Sequence, residues 1–287
     1  MSKSLKYLLF IGLLMGSFVF GLSTGIKRHF PFSIIYEFYF GRKYNFFEPG
    51  GRNFNILHYK TKSVNSKLNT GIYLTYGQSN STNGGEFGYV VKNGVFQFLL
   101  GETFLYEDPS LGVNGSGGSV WGMVGDKLID NGIHEQVVFS NCGWGGKKIE
   151  ELKEGHYFEY LVNNYNDLIK KFGRVDGILY HQGEGDNNPQ GVKDYYNNFS
   201  EFISNLKDEG INIPIYLSRV SLCGEKYPIN NKLTNLQNQL INDYEVIKEG
   251  PNTDLLSKKN DRLKDYCHFS LEGYDKFSDM WIESLTK

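Results

Sequence analysis

Gly71-Ile72-Tyr73-Leu74-Thr75-Tyr76-Gly77-Gln78-Ser79-Asn80 is an apolar run that stops abruptly. Ile72, Leu74 and Tyr76 alternate with other residues up to Gly77, as expected where a strand ends and a loop begins. Two later segments repeat the arrangement. Gln136 to Phe139 leads into Ser140-Asn141-Cys142-Gly143-Trp144-Gly145-Gly146-Lys147-Lys148-Ile149, and Val175 to Tyr180 leads into His181-Gln182-Gly183-Glu184-Gly185-Asp186. Helical spacing fills the intervals: Trp121 to Ile129, then Tyr157, Tyr160, Leu161, Leu168 and Ile169, then Val192, Tyr195, Phe199, Phe202, Ile203 and Leu206. Leu233, Leu236, Leu240, Ile241 and Tyr244 form a further stripe, and a closing helix is expected from about Leu271 to Leu285. Ile213 to Leu217 reads as a strand in which Pro214 marks a start or an edge. Tyr89 to Ser119 is glycine-rich and irregular, and its short apolar run, Val95 to Leu100, suits loops or a small hairpin.

Strands alternating with helices predict an α/β domain, a three-layer α/β/α sandwich with a mainly parallel central sheet. Such sheets gather ligand groups beyond the carboxyl ends of their strands. All three loop motifs fall directly after predicted strands, which brings Ser79, Gly145, Gly146 and Gln182 toward one rim.

A serine hydroxyl attacks a carbonyl only when a neighbouring base takes its proton. Asp265-Tyr266-Cys267-His268 supplies that base downstream, since a spacing of three lets a carboxylate reach one imidazole nitrogen while the other faces a site. The plainer reading of Ser79 is a helix N-cap after a strand, and that of His268 is a surface or core histidine. His181, Glu184 and Asp186 carry metal-ligand chemistry, but their spacing matches no H-x-H, H-E-x-x-H or paired C-x-x-C signature, so no metal is assigned. Three cysteines, Cys142, Cys223 and Cys267, leave either one disulfide or three buried thiols open, and Cys142 lacks the context of a cysteine nucleophile.

In chain order, G-Q-S-N, the Gly-Gly block, H-Q-G-E and D-x-x-H resemble the SGNH (GDSL-like) hydrolase superfamily, in the branch of sialate O-acetylesterases and related carbohydrate acetylesterases. The likeness runs from about Gly71 to the C-terminus. It implies Ser79 as nucleophile, His268 as general base and Asp265 as its orienting carboxylate. The oxyanion hole it implies comprises the Ser79 N–H, an N–H of Gly145 or Gly146, and the Gln182 side chain, with Gln78, Asn80 and Glu184 in support. Lys147 stands where Ser or Thr usually follows the glycine pair. The implied activity is removal of O-acetyl groups from a carbohydrate, without a cofactor. The alternatives are transfer of the acetyl group to a glycan hydroxyl, or a glycan-binding protein that keeps the fold without chemistry.

With 287 residues, 40% of them hydrophobic, the chain can bury one sizeable core. A formal net charge of −2 with dispersed basic residues shows no footprint for nucleic acid. Tyr7 to Ile26 is uncharged and mostly apolar, flanked by Lys3 and Lys6 before and Lys27 and Arg28 after. At about 1.5 Å per residue it is long enough for a bilayer core of about 30 Å. The expected organisation is therefore a signal anchor or signal peptide over 1–28, an extension over 29–69 and the esterase domain over 70–287. Either reading of the first segment sends the domain out of the cytoplasm, membrane-anchored or secreted.

Overall fold

The computed structural model of the protein describes residues 51–92 and 94–287. The apolar segment Tyr7 to Ile26 and the first part of the extension lie outside them. Among the described residues no helix is long and apolar enough to cross a membrane.

The strands are β1 (Thr70–Gly77), β2 (Val95–Leu99), β3 (Glu102–Leu105), β4 (Gln136–Asn141), β5 (Gly177–His181), β6 (Ile215–Arg219) and β7 (Ile247–Asn252). The helices are α1 (Trp121–Asp130), α2 (Ile149–Leu152), α3 (Gly155–Phe172), α4 (Pro189–Asp208), α5 (Asn231–Asp243) and α6 (Leu271–Leu285). The seven strands form one sheet in the order β3-β2-β4-β1-β5-β6-β7, in which every pairing is parallel except β2 with β3. From β4 to β7 this is the doubly wound 2-1-3-4-5 order, with the β2-β3 hairpin added beside β4. Leu100 and Gly101 join the hairpin, both at positive φ, which matches the twist of two-residue turns.

Because side chains alternate along a strand, β1 sends Tyr73 to one face and Tyr76 to the other, and β5 does the same with Leu179 and Tyr180. Tyr73 and Leu179 join Trp121, Val124, Phe277 and Trp281 of α1 and α6 in one core cluster. Tyr76 stacks on Phe202 of α4 at 5.7 Å, and Tyr180 meets Phe199 edge-on at 5.0 Å. Every residue of β1, β2, β4 and β5 is buried, so helices cover the centre of the sheet on both sides. Pro214 precedes β6, an interior strand, so the start and not the edge is what it marks. One of the two edge strands is β7, absent from the sequence reading, and its Pro251 is tolerated where a missing N–H faces no partner.

The part of the extension that is described packs on the domain. Thr61 bridges Phe104 of β3. Arg52, buried and without a carboxylate partner among the described residues, aims Nη1 at the carbonyls of Gly112 (2.9 Å), Cys142 (3.0 Å) and Gly143 (2.9 Å) and lies over the Tyr160 ring. One guanidinium thereby pins together two loops at the carboxyl rim of the sheet.

Candidate active site

Ser79 opens a single 3-10 turn, Ser79–Ser81, at the carboxyl end of β1. β1 sits between β4 and β5, where the connections diverge and doubly wound sheets hold their ligands. Gly77 permits the turn: its φ is +133°, and a Cβ there would lie 2.0 Å from the His181 carbonyl oxygen. Gln78 then donates its N–H to that carbonyl and accepts the Gly185 N–H on Oε1 at 2.8 Å. Asn80 directs its amide to Glu184 Oε1 at 2.9 Å and to the Cys267 carbonyl at 3.1 Å. The residues beside Ser79 thus tie its turn to the H-Q-G-E loop and to the loop bearing His268.

Nδ1 of His268 lies 2.6 Å from Asp265 Oδ2, while Asp265 Oδ1 accepts the N–H groups of Cys267 (2.9 Å) and His268 (3.0 Å). Burial pushes the Asp265 carboxyl up, but the Cys267 N–H and the His268 side chain and N–H together hold it below its ordinary 3.8. It is an anion at neutral pH. The Cδ2 edge of the imidazole borders Gly84, the glycine that also neighbours the serine turn. A Cβ at Gly84 would stand 2.6 Å from the Ser79 carbonyl oxygen and 2.9 Å from His268 Cδ2, so the two flank one glycine. Cδ2 is bonded to Nε2, the nitrogen left for a nucleophile.

Two further devices hold this loop, the first of them absent from the sequence reading. Arg262, buried over the Phe269 ring, donates Nη1 to the Cys267 carbonyl at 2.6 Å. Cys267 is also joined to Cys223 by a disulfide. Cys142 is the free thiol, and burial pushes it up to about 12, so it offers almost no thiolate.

On the other side of Ser79 stands the glycine loop, held to β1 by the Trp144 N–H on the Gly77 carbonyl at 2.9 Å. A Cβ at Gly145 would lie 3.6 Å from Ser79 Cβ, which makes Gly145 the glycine at the serine. Gly146 is exposed at φ +76°, a turn position with open space around it. The Gly145 N–H, however, donates to Asn114 Oδ1 at 2.8 Å. Gln182 is fully buried, and its amide is directed to Asp186 Oδ2 at 2.5 Å, with longer approaches to Lys147 O and Gln78 Oε1. Two expected oxyanion donors are therefore engaged within the protein. The Lys147 ammonium pairs with Glu151 at 2.8 Å and lies 5.0 Å over the Tyr157 ring.

His181 Nδ1 lies 3.7 Å from Glu184 Oε1, and each of His181, Glu184 and Asp186 also has a partner of its own. His181 Nε2 is 3.0 Å from Thr253 Oγ1, Glu184 accepts from Asn80, and Asp186 accepts the Ile149 N–H at 2.9 Å. Burial pushes His181 down to about 3, so it is neutral. Among the described residues no group of three or more His, Cys, Asp or Glu side chains is arranged to hold a metal ion.

The loop that carries Asn114 begins at a buried acid. Burial pushes Asp108 up to about 7 against the pull of the Ser119 N–H and hydroxyl. The folded state keeps this proton while the unfolded chain releases it near 3.8. Stability from Asp108 is therefore complete below about pH 4 and is lost as pH rises to about 7. Asp108→Asn is expected to flatten the fall in Tm across this window, read by thermal melts from pH 4 to 8. Parallel melting curves for the two proteins would remove Asp108 as a source of the slope.

The family model for carbohydrate esterase, sialic acid-specific acetylesterase, matches residues 122–287, more than half of the chain. The chain belongs to this family. It is a carboxylic ester hydrolase of the acetylesterase kind. No curated protein matches it. Among solved structures, a protein of Arabidopsis thaliana shares 16% identity and a TM-score of 0.61, the alignment covering 77% of this chain and 99% of that one. A carbohydrate acetylesterase from Xanthomonas citri shares 14% identity and a TM-score of 0.52 over 73% of this chain and 54% of that one. A candidate GDSL-like lipase from Parabacteroides merdae shares 15% identity and a TM-score of 0.52, with coverages of 75% and 95%. At these identities the likeness shows the fold of the esterase and nothing finer.

Proposed function

We propose that this esterase removes O-acetyl groups from a carbohydrate, with Ser79 as nucleophile, His268 as general base and Asp265 as the carboxylate that orients it. The observation that carries the reading is the meeting of three separate segments. The Asp265–His268 pair, at 2.6 Å, and the Ser79 turn at the carboxyl end of the central strand both border Gly84. As Ser79 Oγ bonds to the acetyl carbon, its proton passes to Nε2 of His268 and the carbonyl π pair moves onto oxygen. The tetrahedral species collapses, the sugar oxygen leaves with that proton, and water, deprotonated by the same imidazole, releases acetate from the acetyl-serine. The anionic Asp265 stabilises the imidazolium formed in each half.

The family supports an acetylated carbohydrate as substrate, and its model names sialic acid. A location outside the cytoplasm is part of the proposal. The Cys223–Cys267 disulfide supports it, since such bonds persist in oxidising compartments.

The test is acetate release from a panel of acetylated glycans, sialic acids included. The expected result is free acetate and a sugar lighter by one acetyl group. Acetyl groups reappearing on an added glycan would favour transfer, and complete inertness toward every acetylated sugar would end the proposal.

A further inference from the structure

We propose that Asn114 supplies the side-chain donor of the oxyanion hole, in place of Gln182 and of the Gly145 N–H. This deepens the proposed Ser79 mechanism and rests on it. Asn114 Oδ1 accepts the Gly145 N–H at 2.8 Å. An amide that receives an N–H must present its oxygen there, so the other branch is the NH₂ group and the orientation is fixed by the partner. Nδ2 lies 3.2 Å from the point a Gly145 Cβ would occupy, and Ser79 Cβ lies 3.6 Å from that same point. The NH₂ group and the serine side chain therefore border one small space. Among the described residues Nδ2 has no hydrogen-bond partner, and Asn114 is only half-buried, so the donor remains available to a ligand.

The donor is also held in place before substrate arrives. The Asn83 N–H donates to the Asn114 carbonyl at 3.2 Å, the Asn53 N–H to the Val113 carbonyl at 2.8 Å, and Arg52 grips the Gly112 carbonyl. A donor fixed in advance costs no reorganisation when charge develops on the carbonyl oxygen. The Ser79 N–H supplies the second hydrogen bond. Gly145 acts through Asn114, setting its angle, and Gln182 braces the loop through Asp186.

Asn114→Asp keeps an oxygen for the Gly145 N–H and replaces the NH₂ group with a second oxygen. Its kcat on 4-nitrophenyl acetate is expected to fall roughly 10²–10³-fold with little change in KM. Its Tm should stay near that of the wild type, and phosphorylation of Ser79 by diethyl 4-nitrophenyl phosphate, with 4-nitrophenolate leaving, should slow by a similar factor. Asn114→Ala removes the side chain altogether and leaves the Gly145 N–H free. Under this proposal it too loses kcat. Retained or raised turnover in Asn114→Ala, or Asn114→Asp within threefold of wild type, would return the role to Gly145 and overturn the inference. Ser79→Ala in parallel separates the two levels. If that variant is inert while Asn114→Asp is active, only the Asn114 inference fails, and if Ser79→Ala remains active both fall.

Discussion

Ser79→Ala is expected to lower turnover of 4-nitrophenyl acetate by on the order of 10⁶-fold while leaving Tm in place. The large effect follows from removing the only atom that bonds to substrate. The small structural effect follows from how the turn is built. The Ser81 and Thr82 N–H groups donate to the carbonyls of Gln78 and Ser79, and the Ser81 and Thr82 hydroxyls donate to those same carbonyls. The Ser79 hydroxyl takes no part in these bonds. Initial rates with a thermal melt on the same preparation check both halves, and turnover within tenfold of wild type would remove Ser79 from the chemistry.

The second large effect is expected from Asp265→Asn, a loss of roughly 10⁴-fold in kcat. One oxygen of Asp265 holds two backbone N–H groups, and the other faces His268 Nδ1. An asparagine keeps its oxygen on the two N–H groups and turns its NH₂ toward Nδ1. That nitrogen becomes an acceptor, the ring proton moves to Nε2, and the base toward Ser79 is blocked. The loop itself should persist, because the backbone bonds, Arg262 and the disulfide remain. Steady-state kinetics measure the loss, and nitrogen NMR of the imidazole reads the tautomer. A loss below tenfold, or an unchanged tautomer, would mean that Asp265 does not orient the base.

The sheet and most helices were legible because their signals are local. β1, β4 and β5 are apolar runs that end at glycine or polar loops, and α6 falls on Leu271–Leu285 as its stripe predicts. β7 was hidden because Lys248, Glu249, Gly250 and Pro251 lack the alternation of a half-buried strand, and an edge position asks little of them. In the site, the motif residues could be named but not their directions. Gln182 has a carboxylate four residues on, and Asp186 engages its amide. Asn114, Arg52 and Arg262 belong to no motif. They matter through contacts across 31, 91 and 5 residues of sequence, to Gly145, Gly143 and Cys267 respectively. The first two depend on the sheet bringing distant loops together. The choice of Cys223 over Cys142 for Cys267 has the same origin, since Cys142 is buried at the end of β4.

Brief reaction with a fluorophosphonate, followed by intact mass and peptide mapping, asks which atom of this esterase is the nucleophile. One adduct per chain on Ser79 is predicted, slowed strongly in His268→Ala and absent in Ser79→Ala. A single adduct on another residue, with ester hydrolysis lost in step with it, is incompatible with a mechanism centred on Ser79.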